Sequence, residues 1–145
     1  MEDFVRTDWE LSPNTGWKVF HHFNVTDLPA QDPKTARPWR EHIRGCAVAT
    51  WPDQAPSGDV WAFRIIVRRN LGGRGADLDT YLRPVLGAFS LETIKRDKSE
   101  HGRKAALYHE ERAEYVRLVQ VAMEPSDVVE LEIWIYNLEA KVSQA

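Results

Sequence analysis

A single cysteine, Cys46, stands among 145 residues, which excludes an intrachain disulfide framework. No run approaches the ~18 consecutive apolar residues of a membrane-spanning helix, so no membrane partner is expected. The acidic start Met1-Glu2-Asp3 has neither the basic nor the apolar region of a secretory signal, and a cytoplasmic location is expected. The histidines at 21, 22, 42, 101 and 109 show no zinc-like spacing with Cys46, which is flanked by Ala47, Val48 and Ala49 and reads as a small buried apolar residue. No Gly-Lys-Ser/Thr follows the glycines at 72, 73 and 75, so P-loop and dinucleotide-binding signatures are missing.

A strong charge of one sign is missing too: the formal net charge is −3. Its distribution says more than its sum. Between Arg64 and Lys104 ten basic residues face five acidic ones, leaving that stretch at +5 and the remainder at −8. A basic middle of this kind suits phosphates, and equally suits a solvated mixed-charge surface. With 43% hydrophobic residues over this length, one domain covering residues 1–145 is expected.

Trp17, Val19, Phe20, Phe23 and Val25, before breakers at Asp27 and Pro29, mark a strand. From Ala36 to Trp51 the apolar residues Trp39, Ile43 and Ala47 recur every four positions, with Thr35 as the expected N-cap, so this is an amphipathic helix. Val60 to Val67, a β-branched and aromatic run of strand length, reads as a central strand. Leu78, Leu82, Val85, Leu86 and Phe89 form one helical face, in which Pro84 is expected to kink or disturb the helix. The charged stretch Ser90 to Glu111 reads as a long mobile connection with room for a short helix. Tyr115–Met123 and Val128–Leu138 read as two strands, the second alternating Val129, Leu131, Ile133 and Ile135 with Glu130, Glu132, Trp134 and Tyr136. The expected class is α/β (α+β), in the order β-α-β-α-β-β, with a mixed sheet covered by two helices. Core packing is expected for Trp39, Trp51, Trp61 and Trp17, while Trp9 and Trp134 are freer to stack on bases.

Asp77 and Asp79 carry the most chemical information. They follow the turn Gly72-Gly73-Arg74-Gly75 and open a helical pattern. Helix capping and an i, i+4 pair between Asp79 and Arg83 explain one carboxylate, each effect being worth roughly 0.3–1 kcal/mol. Two adjacent carboxylates repel unless a cation or a proton neutralises them, and Mg²⁺ binds through one or two carboxylates. Glu110 or Glu111, ahead of the next strand, is the nearest source of a third.

Asp77-Leu78-Asp79-Thr80-Tyr81-Leu82-Arg83-Pro84 resembles the Asp-x-Asp-Asn-x-x-Lys signature of the RusA-type Holliday-junction resolvases. Trp39 to Arg44 resembles that family's first helix, Glu110 to Leu118 its acidic pair and following strand, and Val128 to Tyr136 its closing strand. The resemblance implies a homodimeric endonuclease that cuts four-way DNA junctions in recombination and repair with Mg²⁺, or Mn²⁺ in its place. It makes Asp77, Asp79 and Glu111 the metal ligands and places Arg83 at the family's lysine. Arg68, Arg69, Arg74, Lys95, Arg96 and Lys98 would hold junction phosphates. Thr80, Arg83 and Glu111 depart from the family's asparagine, lysine and aspartate. These departures keep two alternatives open: a member with weakened or lost cleavage that binds branched nucleic acid or a protein, and a structural dimer in which the aspartates cap a helix.

Overall fold

β1 (Trp17–Val25), β2 (Val60–Arg69), β3 (Val116–Pro125) and β4 (Glu130–Leu138) form one sheet in the order β1-β4-β2-β3. The computed structural model describes residues 17–27, 36–52, 60–70, 78–112 and 114–138, and the side chains of Leu78, Asp79 and Leu138 lie outside that description. β4 pairs antiparallel with both β1 and β2, whereas β2 and β3 run parallel. The α/β class and the mixed sheet expected from the sequence are therefore present.

Three helices cover one face: α1 (Arg37–Ala49), α2 (Leu78–Ala88) and α3 (Leu91–Asp97), followed by a 3-10 turn at Gly102–Ala105. Among the described residues no helix is long and apolar enough to cross a membrane. Trp39, Ile43 and Ala47 of α1 and Tyr81, Val85 and Ala88 of α2 pack with Phe63, Ile65, Val67, Leu131, Ile133 and Ile135 of the sheet. Phe89 is the hub of this layer. Its ring lies 5.9 Å from Phe63, 6.0 Å from Trp51 and 6.3 Å from Phe23, all within the range of favourable aromatic pairs. Each large apolar side chain fully withdrawn from water here contributes about 1.5–3 kcal/mol.

Several expectations need correction. Among the described residues a third helix joins the two expected ones, because the segment from Ser90 onward packs as the short helix for which the connection had room. Ser90 caps α3 by accepting from the Thr93 N–H, and Thr93, Ile94 and Asp97 form its buried face. Farther along, Ala105 and Tyr108 are buried as well. Apolar periodicity misses this helix because two of its three buried positions are polar. Pro84 lies inside α2, which continues through it to Ala88. The N-cap position of α1 is Ala36, without a side-chain cap, and Pro38 stands in the first turn. Thr35, Trp9 and the glycine turn at 72–75 lie outside the described residues. Cys46 is half-buried, and Trp134 stacks on His22 at 3.7 Å between ring centroids.

Candidate functional site

Gly87 sets the geometry where α1, α2 and α3 meet. An ideal Cβ there would lie 2.9 Å from Arg40 Cδ and 3.2 Å from Glu111 Oε1, so the missing side chain is what lets both groups lie against α2. Arg44, fully buried, donates from Nε to the Ala88 carbonyl at 2.7 Å and from Nη2 to the Gly87 carbonyl at 3.2 Å. It thereby satisfies carbonyls that the helix end leaves open and places a cation at the negative end of the helix dipole.

Asp97 is the counter-charge. Arg40 holds it in a fork, Nε to Oδ2 and Nη2 to Oδ1, both at 2.7 Å, and Arg44 Nη2 lies 3.0 Å from Oδ2. Burial pushes the Asp97 carboxyl up, but hydrogen bonds and charge from Arg40 and Arg44 outweigh it and hold the group below the usual carboxylate range.

Glu111 reaches the same place from the far side. Leu91 N–H donates to the Tyr108 carbonyl and Glu92 N–H to the His109 carbonyl, which lays residues 108–111 along the start of α3. The residue is exposed overall, yet its carboxylate end sits against Gly87 and takes a hydrogen bond from Thr93. Burial of that end raises its pKa, and the opposing charges of Arg40, Arg96 and Arg83 and the Thr93 bond do not fully cancel the rise.

The Glu111 carboxylate thus lies beside Gly87 and Thr93 and feels the charges of Arg40, Arg96 and Arg83. Glu110 turns away to Arg112, 2.9 Å from its Nε, leaving Glu111 as the acidic member of the cluster. Asp79 stands in the first turn of α2, eight residues before Gly87, which is about 12 Å along the helix axis. Its carboxylate, Asp77 and Arg74 lie outside the described residues. Lys95 and Lys98 are exposed on α3, while Arg69 donates from Nη1 to the Tyr81 hydroxyl at 2.8 Å and ties β2 to α2. Arg68 is engaged on the opposite sheet face, 3.1 Å from Glu124, 3.5 Å from Glu130 and 2.6 Å from Glu132.

Comparison with protein-family models, curated proteins and solved structures returns no match for this chain. The site therefore rests on its own geometry. Arg40 and Arg44 were recoverable from the sequence, since Arg37, Arg40 and Arg44 are spaced three and four apart beside the Trp39-Ile43-Ala47 stripe. Thr93 and Asp97 were not, because their helix lacks an apolar face. Chemically, a rim of guanidinium groups around one carboxylate of raised pKa can bind a phosphate and respond to pH.

Proposed function

We propose that this chain is a Mg²⁺-dependent endonuclease of the RusA type, with Mn²⁺ as a substitute, acting as a cytoplasmic homodimer on four-way DNA junctions. The observation that supports the reading is that the charge of Arg83 acts on the Glu111 carboxylate, two residues far apart in sequence that the resemblance assigns to one site. Arg40 and Arg96 extend the same cationic rim, which suits the closely spaced charges of a DNA backbone. Asp77 and Asp79 are the residues that would hold the ion, which supplies an activated water and Lewis acidity when bound. Arg83 and Arg96 would hold the phosphate and offset charge that develops on it. Glu111 would orient and moderate those arginines.

A second reading is favoured by the position of Glu111, about two helical turns from the first turn of α2. In that reading the chain binds branched DNA without cutting it. A synthetic four-way junction with Mg²⁺ or Mn²⁺ separates the two. The expected result is cleavage by the parent that falls at least about a hundredfold in Asp77→Asn and Asp79→Asn while binding persists. Salt-sensitive binding with no cleavage under either metal establishes the second reading, and absence of binding sinks both.

A further inference from the structure

A cleft of about 560 Å³ lies on the other side of α1, lined by Pro38, Glu41, His42, Gly45, Cys46, Ala49, Glu100 and His101. Among the described residues, Glu41, Glu100 and His101 form a group whose ligand atoms, two carboxylate oxygens and an imidazole nitrogen, all lie within 4.8 Å of one another. Residues 41 and 100 are 59 apart in the chain, so the fold, not local sequence, assembles the group. No local spacing betrays it, because the histidines share no ligand pattern.

We propose that Glu41, Glu100 and His101 form a Zn²⁺-class transition-metal site whose remaining coordination position opens into this cleft. The donor set decides the metal. Two carboxylates with one imidazole suit a borderline cation such as Zn²⁺, and three protein ligands leave the fourth tetrahedral position free. Mg²⁺ takes oxygen ligands and is a poor match for the imidazole.

The surroundings fix the first of these ligands. Glu41 Oε1 accepts from the Ser99 hydroxyl at 2.6 Å and from Arg44 Nη1 at 3.1 Å, and Oε2 accepts from the Glu100 N–H at 2.9 Å. These bonds clamp residues 99–100 onto α1, orient the carboxylate and leave Oε2, which accepts a single bond, with capacity for a further partner. Burial pushes the Glu41 carboxyl up, but the bonds from Ser99, Glu100 and Arg44 outweigh it, so the group is ionised at neutral pH. The His101 ring packs over Gly45, with Nε2 3.5 Å from the position a Cβ would occupy and 3.7 Å from Glu100 Oε1. Glu100 itself is 79% exposed and can swing to complete the set. Cys46 also lines the cleft, but the group whose ligand atoms lie within 4.8 Å of one another is Glu41, Glu100 and His101.

The test uses the full chain, freed of metal by chelation, titrated with Zn²⁺ and separately with Mg²⁺ by calorimetry. One equivalent of Zn²⁺ is expected to bind, with affinity falling more than ~10-fold in both His101→Ala and Glu100→Gln, since loss of even an outer-shell partner costs that much. Both side chains lie at the surface of the cleft, so the variants should melt at the parent's temperature in chelator, which separates ligand loss from misfolding. Asp79→Asn should bind Zn²⁺ like the parent, making this site independent of the proposed nuclease centre. Co²⁺ in place of Zn²⁺ should give visible absorption without a thiolate charge-transfer band. The proposal is overturned if Zn²⁺ does not bind at ~100 µM, if either variant binds as the parent does, or if Mg²⁺ binds equally well.

Discussion

The two ionic clusters of this protein are opposite in charge. On the helical side, Arg40, Arg44, Arg83 and Arg96 surround two carboxylates, Asp97 and Glu111. On the opposite sheet face, one guanidinium, Arg68, meets Glu124, Glu130 and Glu132, and His22 lies 2.7 Å from Glu132. Helices over one face and strand alternation on the other put arginines of similar sequence neighbourhood into fields of opposite sign. The cluster in which arginines outnumber carboxylates lies on the face that also carries α2. Arg68, which a charge count groups with the phosphate contacts, belongs to the acidic face.

The helical cluster should prove the stiffer of the two. Asp97→Asn leaves Arg44 buried beside a neutral partner, although Glu41 and two backbone carbonyls still hold it. The expected loss is about 3 kcal/mol, near the low end for a broken buried pair. For a chain of this size that lowers Tm on the order of 10 °C, measurable by calorimetry. The sign of its pH dependence follows from the depressed pKa of Asp97. Its stabilisation is present in full above the unfolded value of about 3.9 and is lost as pH falls through the lower folded value. The parent should therefore converge on Asp97→Asn in strong acid. A constant gap between them down to pH 2 would contradict this account of the cluster.

How much of this contrast could be read in the sequence depends on the kind of residue that each element buries. β2 and β4 were legible because Val60 to Val67 is apolar save for Arg64, and Leu131, Ile133 and Ile135 alternate, patterns that a buried strand explains. α1 and α2 were legible for the same reason at helical period. α3 was not, since Thr93 and Asp97 are buried only because Arg40, Arg44 and the 108–111 segment arrive to satisfy them. A polar residue buried by a partner dozens of positions away leaves no local signature. The same holds for the candidate site. Asp79 and Arg83 share one helix and could be paired on spacing, whereas Gly87 betrays its role only when Arg40 and Glu111 are seen against it. Arg68 shows the converse failure, a basic residue at a strand end whose neighbours across the ladder are glutamates.

The acidic face should give a smaller response. Glu132 accepts from Arg68 Nη2 at 2.6 Å and from Trp134 Nε1 at 3.1 Å, besides its contact with His22. Glu132→Gln removes the charge but keeps an acceptor, and Arg68 retains two other carboxylates. A cost of about 1–2 kcal/mol is expected, in the range of one charge-assisted bond. If Glu132→Gln destabilises more than Asp97→Asn, the ranking of the two clusters is wrong.

The smallest effect on stability, and the sharpest on the proposed function, belongs to Glu111→Gln. Because the folded pKa of Glu111 is raised, its ionised form is slightly unfavourable to the fold at neutral pH. That penalty is relieved as pH falls through the folded value toward the unfolded one. Replacing the carboxylate should therefore leave Tm at pH 7 within about 2 °C of the parent. DNA binding should change instead. Removing one negative charge from among Arg40, Arg83 and Arg96 should tighten non-specific duplex binding a few-fold at low salt, whereas Arg96→Ala should lower the slope of log K against log salt by about one. Protonation does to the parent what the substitution does permanently, so the parent's affinity should rise toward that of Glu111→Gln as pH falls through the raised pKa of Glu111, narrowing the gap between them. Should Glu111→Gln bind more weakly than the parent, or should the gap stay constant as pH falls through that value, the carboxylate does not moderate the arginine rim and the cationic face must be sought elsewhere on the molecule.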